Sequence, residues 1–239
     1  MLNEKLSLRH LYDLDGGVKE LSKRYDLESE ENEPIDSLCA SHKIDVDFFV
    51  QLTRIFHDAN YFPAKQLQSF STTIILDYLQ RTHRYYLDRR LPEIEQMIEH
   101  VTDQVDDKTS SFLQRFYFIL RRDLSAHIRL EEKLLFPYIK ELSTSFRNQT
   151  VTAEFDADSQ NFSVEKFVST HDEHVEDYLL NARKKLIEDH QNVDDLLPLR
   201  VLLYQFELFE KDLRVHGKVE DLVLVPKALE MERTLFPKG

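Results

Sequence analysis

Only four glycines and seven prolines interrupt this chain of 239 residues, well below the roughly 7% and 5% of average proteins. Few turn residues means few turns, and a chain that seldom turns must run in long helices rather than in many short strands. The expected fold class is therefore all-α. At this length the chain can bury a substantial core, as one domain or as one domain with a small appendage.

Several function classes are set aside by composition. A formal charge of −13 argues against nucleic-acid or anionic-membrane partners, because binding phosphate needs clustered Lys and Arg. The single Cys39 cannot form an intrachain disulfide framework and fits a reducing compartment. MLNEKLSLRH lacks the apolar core of a signal peptide, and no run approaches the ~18 apolar residues of a membrane span. A cytoplasmic protein is expected.

Up to about Asp58 two or three short helical patterns are broken by DGG at 15–17 and by the acidic DLESEENEP at 26–34, expected to be mobile. After NYFP (60–63) the helical period lengthens. Four long stretches follow, at about 65–104, 110–144, 161–190 and 195–233, with Pro92 expected to bend the first or mark a junction. Short connections between the first and second, and between the third and fourth, predict an up-down-up-down four-helix bundle over 61–239, preceded by a small helical segment over 1–60.

One motif occurs twice. HIRLEEKLLFP (127–137) and HGKVEDLVLVP (216–226), which starts 89 residues later, both read H-x3-E-x5-P. His at i and Glu at i+4 lie one turn apart on one helix face, so both can reach one ion. The second and fourth helices of the bundle are parallel, so both motifs point the same way. In carboxylate di-iron bundles, inward Glu and His from facing helices build the site. Two such pairs would supply two bridging carboxylates, Glu131 and Glu220, and two terminal imidazoles, His127 and His216.

Counting from the loops locates further ligands, since residues equally far from a hairpin's loop share a height. His83 lies about 20 residues before the first short loop and His127 about 17 after it; His171 lies about 19 before the second and His216 about 21 after it. His174 competes with His171 in STHDEH, and spacing leaves the choice open. His100 is 17 residues beyond His83, about 25 Å along a straight helix, too far for metals about 3.5–4 Å apart. A lone helical histidine is ordinarily a surface or packed residue. The repeated H-x3-E together with a level-matched histidine on each remaining helix is what points to a metal site.

These residues resemble the hemerythrin-like (HHE cation-binding) family, and most closely its iron-sulfur cluster repair di-iron proteins. HIRLEEKLLFP is similar to the family's H-x3-E-x3-LFP helix, and HGKVEDLVLVP to its second copy, with Val225 where Phe is usual. ILDYLQRTHRYYLDRRLPEIEQMIEHV (75–101) is similar to the first bundle helix, and FVSTHDEH to the E-H-D segment. The resemblance covers roughly 65–230. It implies His83, His127, His171 and His216 as terminal iron ligands and Glu131 and Glu220 as carboxylate bridges. It favours His171 over His174, and also has a histidine where His100 stands. No ligand is assigned to Thr170, which stands where the family often has Glu. KRYDLESEENEPIDSLCASHKIDVDFFV (23–50) resembles the frame of a small N-terminal domain whose paired cysteines are here replaced by acidic residues. That leaves a docking or regulatory role for the segment.

Four imidazoles and two carboxylates leave room for an oxo or hydroxo bridge and one exogenous ligand, and mixed N and O donors suit Fe, Mn or Zn. The resemblance weighs towards two iron ions, with O2 or NO as small ligands and damaged iron-sulfur proteins as partners; a homodimer is compatible with it. It implies repair of clusters damaged by oxidative or nitrosative stress. The alternative is a non-catalytic sensor or carrier of O2, NO or iron, so enzymatic activity is left undecided. Tyr85, Tyr86 and Tyr204 are candidate hydrogen-bond donors around the ligands, although such tyrosines more often pack.

Overall fold

The computed structural model describes residues 5–12, 16–152, 155, 162–170, 175–189 and 196–237. Among them the fold is all-helical, and the only β feature is a single bridge between Ser7 and Pro34. Four short helices come first: α1 (Leu8–Tyr12), α2 (Gly16–Lys23), α3 (Ile35–Ser41) and α4 (Val46–His57). The carboxylate of Asp45 caps α4 by accepting from Phe48 N (2.9 Å), a contact that stabilises a helix start by about 1 kcal/mol. The acidic 26–34 stretch, expected to be mobile, is instead pinned by ion pairs. Arg89 bonds Asp26 and Glu28, Arg9 bonds Glu31 and His42 contacts Glu30.

After α5 (Ala64–Gln68), the first bundle helix comprises α6 (Thr72–Tyr85) and α7 (Leu91–Thr102). The second comprises α8 (Asp107–Leu130) and α9 (Phe136–Asn148), the third includes α10 (Val164–Thr170) and α11 (Val175–Asp189), and the fourth comprises α12 (Leu197–Val219) and α13 (Val225–Leu235). Side by side, α7 meets α8, α8 meets α11, α11 lies along α12, and α12 returns to α7. That closed ring is the up-down-up-down bundle.

Among the described residues three bundle helices carry the same irregularity: five-residue π-turns at Tyr86–Arg90, Glu131–Leu135 and Glu220–Leu224. Each is followed one residue later by Pro92, Pro137 or Pro226. A proline has no N–H for the carbonyl four residues back, and its ring collides with that carbonyl. Widening the turn removes the clash: Leu91, Phe136 and Val225 donate five residues back, to Tyr86, Glu131 and Glu220. The carbonyl freed by Pro226, that of Leu222, accepts from the Gln68 amide instead (2.8 Å). Pro92 thus inserts a residue into the helix rather than breaking it.

The buried apolar residues fall into two clusters. One joins α1–α4 to α5, the start of α6, α9, α10 and α13; the other is built from α7, α8, α11 and α12. Between them lies a layer of buried polar side chains: Arg24, Thr82, His83, Glu131, Asp212, His216 and Glu220. Buried polar groups are costly unless each is partnered, so a whole layer of them asks for a reason.

Candidate metal centre

Two groups of side chains in or beside that layer have ligand atoms all within 4.8 Å of one another: His83, Glu131 and His216, and His127, Glu131 and Glu220. Glu131 belongs to both. It is fully buried, with one carboxylate oxygen 3.1 Å from His83 Nε2 and the other 2.9 Å from His127 Nε2. His83 Nε2 lies 3.3 Å from His216 Nε2, and His216 Nε2 3.8 Å from Glu220. The carboxylates occupy equivalent places, each the first residue of a π-turn that follows an H-x3 spacing.

Of the six residues singled out in the sequence, five therefore meet. The sixth, His171, lies outside the described residues, as does its competitor His174. Thr170 is exposed and its hydroxyl donates to the carbonyls of Lys166 and Phe167. His100 is exposed near the far end of α7, where the Gln104 amide donates to its carbonyl (3.0 Å). His100 is not among the grouped ligand atoms, and the backbone stays right-handed helical at Tyr85, Arg90 and Leu91 on the way into α7.

The charges of the site follow from burial and proximity. Burial would raise the Glu131 pKa, but hydrogen bonds from His127 and His83 outweigh it and hold the carboxyl well below its usual range. Glu220 has no such support: burial, and then the neighbouring Glu131 charge, push it well above. Burial and the nearby His83 push His216 well down, so its imidazole is neutral. For His83 burial acts downward too, yet the hydrogen bonds to Glu131 and Glu132 win and raise it. Two carboxylates and three imidazoles thus point their basic atoms at one small volume. A divalent cation would neutralise both carboxylates and accept the imidazole lone pairs, releasing protons as it bound. The donor set fits such an ion.

Groups around this set orient it. Glu132 accepts from His83 Nδ1 (2.9 Å) and from the Gln80 amide (2.9 Å), which turns the Nε2 atom inward. The Phe136 ring stacks on His83 with centroids 5.2 Å apart and planes 4° from parallel. Sequence reasoning missed Glu132, whose only signal is its place beside Glu131. It also missed Asp212, one turn before His216. Tyr86 is buried, its ring edge-on to His216 (5.8 Å) and its hydroxyl donating to Asp212 (2.8 Å). Tyr85 donates to Glu20 instead, and Tyr204 is 53% exposed. Leu135 and Phe136 pack inside the bundle, whereas Leu134 is 46% exposed, on a turn whose extra residue shifts the helix face.

Residues 74–228 match the hemerythrin HHE cation-binding domain. That span is most of the chain and contains every residue of the site. The protein belongs to the hemerythrin family. Family and geometry agree on a cation-binding, all-α bundle. No curated protein sequence matches the chain significantly. Among the described residues of this hemerythrin-family chain, no helix is long and apolar enough to cross a membrane.

Proposed function

We propose that this hemerythrin-family protein holds two iron ions between its four bundle helices and acts in the repair of iron-sulfur clusters damaged by oxidative or nitrosative stress. The observation that carries the metal reading is the pair of triads sharing Glu131. His83 and His216 would serve one ion, His127 and Glu220 the other, with Glu131 between them and His171 as a further ligand. A non-haem di-iron pair supplies redox chemistry and affinity for O2 or NO when bound.

The protein's own residues set the conditions for that chemistry. Glu132 fixes the tautomer of His83, Phe136 holds its ring plane, and Glu220 gives up its proton as cations enter. His127, whose side chain is 17% exposed against 2% for His83, lies on the side nearest solvent, the natural approach for a diatomic ligand. The resemblance of 65–230 to cluster repair proteins supports the repair role, and the single cysteine supports a cytoplasmic setting.

One observation favours a second reading, a non-catalytic sensor or carrier of O2, NO or iron. Cys39 is buried and its thiol is pushed up to about 12, first by burial and then by Asp45 and Asp36, so the N-terminal segment offers no reactive thiol. The segment over 1–60 then acts by docking on the bundle rather than by sulfur chemistry.

The deciding measurement is iron content of anaerobically purified protein, with optical spectra before and after O2 or NO. Two irons per chain with bands that respond to either gas support the centre, and well under one iron per chain refutes it. Restoration of activity to a protein with a damaged cluster, unchanged in Cys39→Ser, separates thiol-independent repair from sensing.

A further inference from the structure

The buried layer contains one cation that comes from outside the bundle. Arg24 follows α2 in the N-terminal segment, yet none of its side chain is exposed. Its guanidinium donates to Asp212 on α12, to the Tyr78 hydroxyl (3.1 Å) and to the Thr82 hydroxyl (3.3 Å) on α6. It lies 5.2–5.7 Å from the ring centroids of Phe56, Tyr78, Tyr85 and Tyr86. Two of its hydrogen-bond partners adjoin candidate ligands. Thr82 directly precedes His83, and Asp212 stands one turn before His216. The second oxygen of Asp212 accepts from Tyr86, whose ring meets the His216 ring edge-on.

We infer that Arg24 is a positioning residue for the metal centre, holding the His216 helix through Asp212 and Tyr86 and the His83 turn through Thr82, so that the N-terminal segment forms part of the centre's outer wall. Its planar fork reaches acceptors on two bundle helices at once, which a single ammonium cannot do. The aromatic ring of four side chains keeps water from competing for those bonds. Asp212 would be a buried, unbalanced carboxylate without Arg24, and Tyr86 would lose the fixed acceptor that sets its angle against His216. Coupling of this kind is reciprocal: what seats Arg24 shapes the ligand set, and a cation on the ligand set favours the seated arginine.

The inference rests on the reading of the five-residue cluster as a metal site. It is tested on the full chain, stripped of metal and titrated with Co2+ alone, reading the visible ligand-field bands and the affinity by competition with a chelator. The variants are Arg24→Met, Arg24→Lys and Tyr86→Phe. We expect wild-type protein to bind Co2+, all three variants to shift the bands, and binding to weaken at least about tenfold, the usual consequence of losing a group that orients a ligand. Arg24→Lys should not restore the wild-type spectrum. Folded variants with wild-type bands and affinity would overturn the inference while leaving the metal site intact. Should Arg24→Met fail to fold, Tyr86→Phe, which removes one hydroxyl, decides by the same criterion. Wild-type protein that binds no Co2+ overturns the metal site and this inference together.

Discussion

Glu132 offers the sharpest test of how the centre is built, because it touches a candidate ligand without being one. Its carboxylate accepts from His83 Nδ1 and from Gln80, each at 2.9 Å, and its side chain is 32% exposed. Burial would raise its pKa, but the bonds from His83 and Gln80 prevail and keep it ionised. Replacing it with alanine removes the charge that makes His83 Nε2 more basic and releases the ring about its Cβ–Cγ bond. Loss of such an orienting carboxylate weakens metal binding by about 10–100-fold, or about 1.4–2.7 kcal/mol. The metal-free fold should hardly notice: a carboxylate a third exposed is partly screened, and an ion pair of that kind contributes at most about 1 kcal/mol. Chelator-competition titration of Glu132→Ala with Fe2+ or Co2+, alongside thermal unfolding of the metal-free protein, reads the two quantities separately. Affinity within twofold of wild type, in a variant whose Tm is unchanged, would refute the orienting role; a fall in Tm with no change in affinity would make Glu132 purely structural.

Three further outcomes are expected. Glu131→Ala should empty both triads and lose all bound metal by elemental analysis, while His100→Ala, on an exposed site at the end of α7, should retain the wild-type content. Cys39, buried and with its thiol near 12, should stay unlabelled by a thiol reagent at pH 8 in native protein and react once in denaturant; labelling of native protein within minutes would contradict the packing. The Glu20 pKa is lowered: burial acts upward, but Tyr85, Arg90 and Lys23 outweigh it. A depressed carboxylate stabilises the fold above its unfolded value near 4.5 and loses that contribution as pH falls through the folded value, so the Tm gap between wild type and Glu20→Gln should be full at pH 6 and shrink as pH is lowered beneath the unfolded value.

The sequence made the bundle and most of its candidate site legible because both rest on periodicity. Glycine scarcity forces long helices, H-x3-E puts two side chains on one face, and counting residues from a hairpin loop puts His83 level with His127. All three arguments are local or nearly so. Arg24 was not legible, since its partner Asp212 is 188 residues away and nothing near either residue advertises the other. The π-turns were half legible: Pro92 announced a disturbance, but whether a helix kinks or gains a residue depends on what satisfies the freed carbonyl. For Leu222 that is Gln68, 154 residues distant. Exposure of Leu134 follows from the same extra residue, which rotates the face beyond it. The acidic 26–34 stretch was misread because composition alone cannot reveal that Arg89 and Arg9 lie opposite it.

The polar layer also makes a prediction about stability. It divides the apolar interior into two clusters and places two carboxylates, Glu131 and Glu220, close enough that burial and the Glu131 charge push the Glu220 pKa well up. Such a layer is a weak point in a metal-free fold, since each ionised group there is desolvated and relies on its neighbours. A cation that binds only the folded ligand set reverses this, adding about 2.7 kcal/mol at a free concentration one hundred times its Kd. Because the cation displaces protons from Glu220 and His83, its benefit should grow as pH rises from 5.5 to 7.5. Thermal unfolding with and without Fe2+ or Co2+ across that range measures both effects. A Tm that rises with metal, more at pH 7.5 than at 5.5, follows from ligands that must lose protons to bind. A Tm indifferent to metal at both pH values would mean that the five side chains pack against one another for their own sake.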